Sequence, residues 1–178
     1  YYNQTAKNGT KPWRNTGYKF PVTIVTGDLQ YKGFNNNLIV RGNAVYGNLG
    51  ASGALTTINN SSSAASGYPN TTVAQNAVSY GGEAGYNIGS FFHSKAPRIY
   101  PFIRYEYYNP MEKTEANTGL LADKRFQVSA VTAGLNYYAL PNLVIKADYT
   151  HRSIGGGKYN DENLVSVGIA YIGWFIKK

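Results

Sequence analysis

The stretch Glu162–Lys178 reads ENLVSVGIAYIGWFIKK and carries the clearest pattern in the chain. From Val165 to Tyr171 every second residue is bulky and apolar, and the residues between them are small or polar. Alternation with a period of two predicts a β-strand with two different faces. In a soluble sandwich the apolar face would cover a core, whereas in an outer-membrane barrel it would contact lipid and the polar face would line a wet lumen.

Six earlier segments alternate in the same way, and no segment has a convincing helical period. The chain is therefore expected to be all-β, with seven antiparallel strands that follow one another up and down. The six earlier strands are predicted at about 24–32, 38–47, 77–88, 98–108, 126–138 and 143–152.

The predicted connections alternate between long and short along the chain. In an up-and-down sheet, alternate connections lie at opposite ends, so the long loops share one end, as they do in outer-membrane barrels. Residues 1–19 are expected to form a polar loop or a partial strand, and residues 20–178 the barrel strands. Because single-chain bacterial barrels have an even number of strands, seven strands predict at least one more. The long outer loops are expected at about 48–75, 109–125 and 153–161, and the shorter connections at 33–36, 89–97 and 139–142.

Composition narrows the alternatives. The 178 residues include 17 Lys and Arg against 9 Asp and Glu, a net charge of +8, and no cysteine. Disulfides and thiolate metal sites are thereby excluded. No apolar run approaches the ~20 residues of a transmembrane helix, but a spanning β-strand needs only ~9–11 residues.

Tyrosines are concentrated at the strand ends, on the apolar phase of the alternation. That phase also carries many glycines and alanines, which suit a lipid-facing surface better than a packed core. We expect the aromatic residues to form the girdles that flank the apolar band of a membrane barrel. The lipid-interface candidates are Tyr86, Tyr137, Tyr149, Tyr171 and Phe175.

Charged residues occupy the polar phase. With Asp28 included, this phase carries four basic and four acidic side chains, so it does not predict strong anion selectivity. Cross-strand ion pairing is the expected role of these residues, with solute contact as an alternative that does not exclude it. The predicted pore-lining residues are Arg41, Glu83, Arg104, Glu106, Lys146, Asp148 and Arg152.

The segments GDLQYKG, NNLIVRGNAVYGNL, GGEAGYNIG, YPFIRYEYYN, VTAGLNYYALPNLVIKADYTHR and ENLVSVGIAYIGWF resemble the C-terminal half of Bacteroidetes-type outer-membrane porins. These are similar to the phosphate-selective porin O/P superfamily. The resemblance covers about residues 24–176 and implies a transmembrane β-barrel of 16 or 18 strands, of which about seven or eight lie in this chain. It also implies a homotrimer or a larger membrane complex. The chain departs from the pattern at its end, where Ile176-Lys177-Lys178 stand in place of a terminal aromatic residue.

No nucleophile elbow, metal-ligand cluster or P-loop is present in the sequence, so we expect neither an enzyme nor a cofactor. The leading hypothesis is a porin in the outer membrane of a Gram-negative bacterium, a passive channel for small hydrophilic solutes that could include anions such as phosphate. Its expected partners are outer-membrane lipid and those solutes, not nucleic acid. The alternatives are a non-conducting anchor barrel or complex subunit, and a soluble β-sandwich that binds anionic polysaccharide.

Overall fold

A computed structural model of the chain describes residues 19–66, 72–92, 97–116 and 121–171. Within these ranges it contains seven β-strands, one α-helix and two short 3₁₀ helices, at Ile88–Phe91 and Lys124–Phe126. The predicted polar segment 1–18 and the predicted girdle residue Phe175 lie outside the described residues. The strands are β1 (Val22–Gly33), β2 (Leu38–Leu49), β3 (Asn76–Tyr86), β4 (Arg98–Lys113), β5 (Val128–Leu140), β6 (Leu143–Ile154) and β7 (Asp161–Tyr171).

The strands form one sheet in sequence order, and each pairs antiparallel with its neighbours along the chain. This arrangement confirms the predicted all-β, up-and-down fold. In the described part of the chain, β1 pairs only with β2 and β7 only with β6, so the sheet is open.

The connections 50–75, 114–127 and 155–160 lie at one end of the sheet, here called the long-loop end. The connections 34–37, 87–97 and 141–142 lie at the other, the short-turn end. The difference in length is less regular than the sequence suggested, because 87–97 is longer than 155–160.

The first long connection contains a helix that the sequence did not predict, α1 (Ser52–Ser66). Its first turn is held by Glu115 of the next long connection, whose carboxylate accepts hydrogen bonds from the Gly53 amide (2.6 Å) and the Ser52 hydroxyl (3.4 Å). The Thr56 hydroxyl donates to the Ser52 carbonyl at 2.9 Å and accepts from the Val73 amide at 3.0 Å. The bond from the Gly53 amide satisfies one of the N–H groups that a helix N-terminus leaves without partners, and the bond from Val73 links the chain after the helix to its first turns.

The two faces of the sheet differ in both chemistry and exposure. On β5, Val128 and Thr132 are buried and belong to the polar face, whereas Val131 and Leu135 on the apolar face are exposed. The polar face is thus the sheltered, concave side of the sheet. This is the reverse of a soluble single-sheet domain, in which the apolar side is covered.

Few apolar side chains are buried. Among the described residues they are Tyr100, Met111, Val128 and Val144, and three of these four lie on the polar face. On β7 the apolar side chains of Val165, Val167 and Ile169 are 73%, 77% and 73% exposed. No helix in the described ranges is long and apolar enough to cross a membrane.

Candidate functional site

The concave polar face brings the predicted charged residues together. Paired residues in antiparallel strands share a face. The register aligns Arg41 with Glu83 and Glu83 with Arg104 in one row across β2, β3 and β4. The other predicted residues follow at even spacing on β4 and β6, so all seven lie on this one face. These are Glu106 on β4 and Lys146, Asp148 and Arg152 on β6.

Glu83 is the centre of the row. Its Oε2 accepts hydrogen bonds from Nη2 of Arg104 at 2.6 Å and from Nε at 2.9 Å. On the other side, Nη1 of Arg41 lies 3.7 Å from Glu83 Oε1. The carboxylate side chain is 20% exposed, so it is shielded between two arginines, and the three residues together carry a charge of +1.

A second charged group lies nearer the long-loop end. Arg152 Nη1 donates to Glu162 Oε2 at 2.9 Å, and Nη2 donates to the Tyr108 hydroxyl at 2.8 Å. Because Tyr108 is on β4 and Arg152 on β6, this bond passes over β5 and links two strands that do not pair with each other.

Glu106, Lys146 and Asp148 have no ion-pair partner among the described residues, unlike Arg104. The expected cross-strand ion pairing is therefore present for Arg104, whose partner is Glu83. Within the described ranges it is not observed for Glu106, Lys146 and Asp148. The described part of the chain also contains no group of three or more His, Asp or Glu side chains that could hold a metal ion.

A cavity of about 570 Å³ extends over the polar face from β2 to β7. A neighbouring depression of about 520 Å³ shares Arg41, Glu83 and Arg104 with it. All but one of the predicted pore-lining residues border the larger cavity, and Arg152 is the exception. The cavity thus lies along the predicted pore-lining residues on the concave side of the sheet.

Aromatic residues also line this cavity, and the sequence-based selection of site residues left them out. They are Tyr100, Phe102 and Tyr138. The rings of Tyr100 and Tyr138 meet edge to face at 5.7 Å, and the Arg98 guanidinium lies 4.8 Å from the Tyr138 ring centroid. The alternation that selected Arg104 and Glu106 also places Tyr100 and Phe102 on the same face, so the signal was present.

Outside the strands, Asp123 and Arg125 form a local pair at the long-loop end. The Asp123 carboxylate accepts from Nε and Nη2 of Arg125, at 2.9 and 2.6 Å, and from the Arg125 amide at 2.9 Å. The side-chain hydrogen bonds, followed by the backbone bond, lower the pKa of Asp123 below its ordinary value. The pair fixes the short 3₁₀ helix at Lys124–Phe126.

Tyrosines on the opposite, apolar face form two bands. The upper band runs near the long-loop end and the lower band near the short-turn end, and the residues between them are mainly Val, Ile, Leu, Gly and Ala. Four predicted interface residues belong to these bands. The upper band contains Tyr46, Tyr80, Tyr105, Tyr107 and Tyr149, and the lower band Tyr31, Tyr86, Tyr137 and Tyr171.

The upper band is oblique to the strands. Tyr46 pairs with Val78, so the band shifts by two residues between β2 and β3 to reach Tyr80. Tyr107 aligns through β5 with Ser153, so the band shifts by four residues between β4 and β6 to reach Tyr149. Both shifts are toward the short-turn end, and there is none between β3 and β4, where Tyr80 pairs with Tyr107. The total is six residues over the four steps from β2 to β6, about 1.5 residues per strand.

The lower band slopes in the same direction. Tyr31 aligns through β2 with Ala84, two residues from Tyr86, and Tyr137 aligns through β6 with Ile169, two residues from Tyr171. The shift is about one residue per strand. Each residue rises ~3.3 Å along a strand, and neighbouring strands lie ~4.8 Å apart. Shifts of about 1 and 1.5 residues per strand therefore mean that the strands are inclined by about 35–45° to a line drawn perpendicular to the bands.

No protein-family model, curated protein or solved structure matches this chain. The resemblance to Bacteroidetes-type porins therefore stays a prediction.

Proposed function

We propose that the seven strands form part of the wall of an outer-membrane β-barrel, and that the barrel is a passive diffusion channel for small hydrophilic solutes. The observation that carries this proposal is the inverted exposure of the sheet. Its apolar side chains are exposed on the outer face, while its charged and hydroxyl-bearing side chains line the concave face. A lipid environment stabilises the first surface and a water-filled lumen the second.

The tyrosine bands support a bilayer as the partner of the apolar face. Aromatic girdles lie at both membrane interfaces, and barrel strands are tilted by ≈ 35–45° in the membrane. If both bands are parallel to the membrane plane, their slopes give a strand tilt of about 35–45°, the same as that of barrel strands. On β7 the apolar stretch is bounded by Asn163 and Tyr171. These eight residues at this tilt span about 20 Å along the membrane normal, near the ~25 Å of an apolar barrel band.

Hydrogen bonding at the upper band is consistent with a polar interface just beyond it. The Tyr149 hydroxyl donates to Asn163 Oδ1 at 2.7 Å, and His151 Nδ1 lies 3.0 Å from the same oxygen. Asn76 donates to the Tyr46 hydroxyl. Tyrosines at membrane interfaces present an apolar ring to lipid and a hydroxyl to polar groups.

Single-channel recording in a planar bilayer tests the channel. We expect the complete barrel, reconstituted from detergent with all the strands that close its wall, to give discrete conductance steps. Because the chain contains no cysteine, Asn136→Cys and Leu135→Cys form a matched pair on opposite faces of β5. A charged, water-soluble thiol reagent should lower the conductance of the Asn136→Cys channel and leave that of Leu135→Cys unchanged.

Other outcomes would separate the alternatives. Membrane-inserted protein without conductance steps would favour a non-conducting anchor barrel. Folded protein recovered from aqueous buffer without detergent would favour a soluble β-sandwich. Equal reactivity of the two cysteine variants would contradict the assignment of the faces.

A further inference from the structure

The larger cavity on the polar face contains an aromatic platform. The Phe102 ring extends from β4 over Gly134 of β5, and a Cβ built on Gly134 would lie 2.6 Å from two carbons of this ring. A side chain at position 134 would therefore displace the ring. The ring lines the cavity, and the Arg104 guanidinium lies over it, 5.8 Å from the ring centroid, at the outer limit of a cation–π contact.

Hydrogen-bonding groups border the cavity beside this platform. They comprise donors from Arg104 and Lys146, the carboxylate of Asp148, and the amide of Asn136, which can both donate and accept. A pyranose ring has the complementary chemistry, because one of its faces presents C–H groups and its rim carries hydroxyls that donate and accept. An apolar anchor with a few convergent polar groups is the general form of a small-ligand site.

The charge of the cavity argues against an inorganic anion as its preferred ligand. Glu83 lies 2.6 Å from Arg104 and 3.7 Å from Arg41, so it offsets one of the two arginine charges, and its bonds to Arg104 use Nε and Nη2 but not Nη1. Among the described residues that line the cavity, one basic side chain, Lys146, has no ion pair. Two acidic side chains among these described residues, Glu106 and Asp148, also have none. A neutral solute avoids the repulsion that phosphate would meet from these carboxylates.

From these observations we infer that the cavity is a binding site for neutral saccharides, with Phe102 as the stacking platform and Arg104, Asn136, Lys146 and Asp148 as hydroxyl partners. The inference rests on the proposed channel function and names the solute class that the channel favours. The cavity volume of about 570 Å³ lies within the ~300–1,000 Å³ range of small-ligand sites. A short oligosaccharide would lie along the wall, with one sugar ring on Phe102.

Block of the ion current by maltotriose tests the site in the reconstituted complete barrel. We expect a concentration-dependent reduction of conductance by maltotriose, and no comparable reduction by phosphate at equal concentration and ionic strength. Phe102→Ala should weaken the block about tenfold, since a stacking contact is lost, while Phe102→Trp should preserve it. Ile103→Ala is the matched control, because Ile103 is the next residue on the same strand, lies on the apolar face and is 57% exposed.

A second readout separates the site from the channel. In detergent micelles, the Phe102→Trp variant should change its tryptophan fluorescence when maltotriose is added, relative to the parent protein, whether or not the protein conducts. Conducting channels without sugar block, and with no fluorescence change, would overturn the saccharide site and leave the channel proposal intact. Stronger binding of phosphate than of maltotriose would also overturn it.

Discussion

Replacing Val167 by arginine would place a charge in the middle of the apolar face. Val167 is 77% exposed and lies between Val165 and Ile169 on that face. It is four residues from Asn163 and four from Tyr171, which bound the apolar stretch on β7. At the inferred tilt, each border is about 10 Å away along the membrane normal. The position is therefore near the midplane of the proposed bilayer.

The expected cost follows from this depth. An arginine on the lipid face of a barrel costs ≈ 2–4 kcal/mol at the midplane. This corresponds to an unfolding equilibrium shifted about 30- to 700-fold toward the unfolded state. In water, the same change at a side chain this exposed would alter the free energy of unfolding by only about 0.5 kcal/mol or less.

Urea unfolding in lipid vesicles measures this free energy. Ser166→Arg is the matched control, because Ser166 is the adjacent residue and its side chain lies on the polar face. We expect Ser166→Arg to remain within about 1 kcal/mol of the parent protein, since water in the lumen hydrates the charge. The heat-dependent mobility shift in gels should follow the same order of stability.

Equal effects of the two substitutions would refute the assignment of the faces. A near-neutral Val167→Arg, with folded protein that no longer needs detergent, would indicate that the apolar face is exposed to water. A larger loss for Ser166→Arg than for Val167→Arg would mean that the two faces are reversed.

Three further predictions address the polar face and the long-loop end. Glu83→Gln should free its two arginine partners and shift the reversal potential in a salt gradient toward anion preference; a shift toward cations would contradict the pairing. Gly134→Ala should destabilise the protein by about 1–3 kcal/mol in urea, because the new methyl group would overlap the Phe102 ring; unchanged stability would contradict the packing of the ring. The hydrogen bonds from Arg125 lower the pKa of Asp123, so the contribution of its carboxylate to loop stability is present at neutral pH and is lost only as the pH falls through that lowered pKa. Carbon NMR of the Asp123 carboxyl group should therefore give a midpoint below the ordinary ~3.9 of aspartate, and a midpoint at or above it would contradict the pair.

The alternation predicted the strands and their two faces because side-chain direction in a strand is set locally, by a period of two. The register, which selects partners, is a property of neighbouring strands. The sequence therefore placed Arg104 on the polar face but could not identify Glu83, 21 residues earlier, as its partner. The same limit applies to the platform, since the position of Phe102 over Gly134 depends on how β4 meets β5.

Two elements at the long-loop end were predicted incorrectly for a similar reason. Helix α1 has no acidic residue in its first turn, and the carboxylate that bonds there comes from Glu115, more than sixty residues away. Strand β4 continues through Pro110 to Lys113, where the sequence suggested a loop. The proline is tolerated because β5 pairs with β4 only as far as Tyr108 and because the β3–β4 register is irregular between Asn109 and Lys113, so no paired residue on either side requires the missing N–H.

A nitroxide scan of β7 from Asn163 to Tyr171 tests the central claim most directly. Single cysteines can be introduced without removing any native one, because the chain contains none. In lipid vesicles, labels at 165, 167 and 169 should be accessible to molecular oxygen and protected from a water-soluble nickel complex. Labels at 164, 166 and 168 should be accessible to the nickel complex and less accessible to oxygen. Accessibility should therefore alternate with a period of two along the strand. Accessibility to the nickel complex at 165, 167 and 169 equal to that at 164, 166 and 168 would contradict a lipid-facing apolar surface.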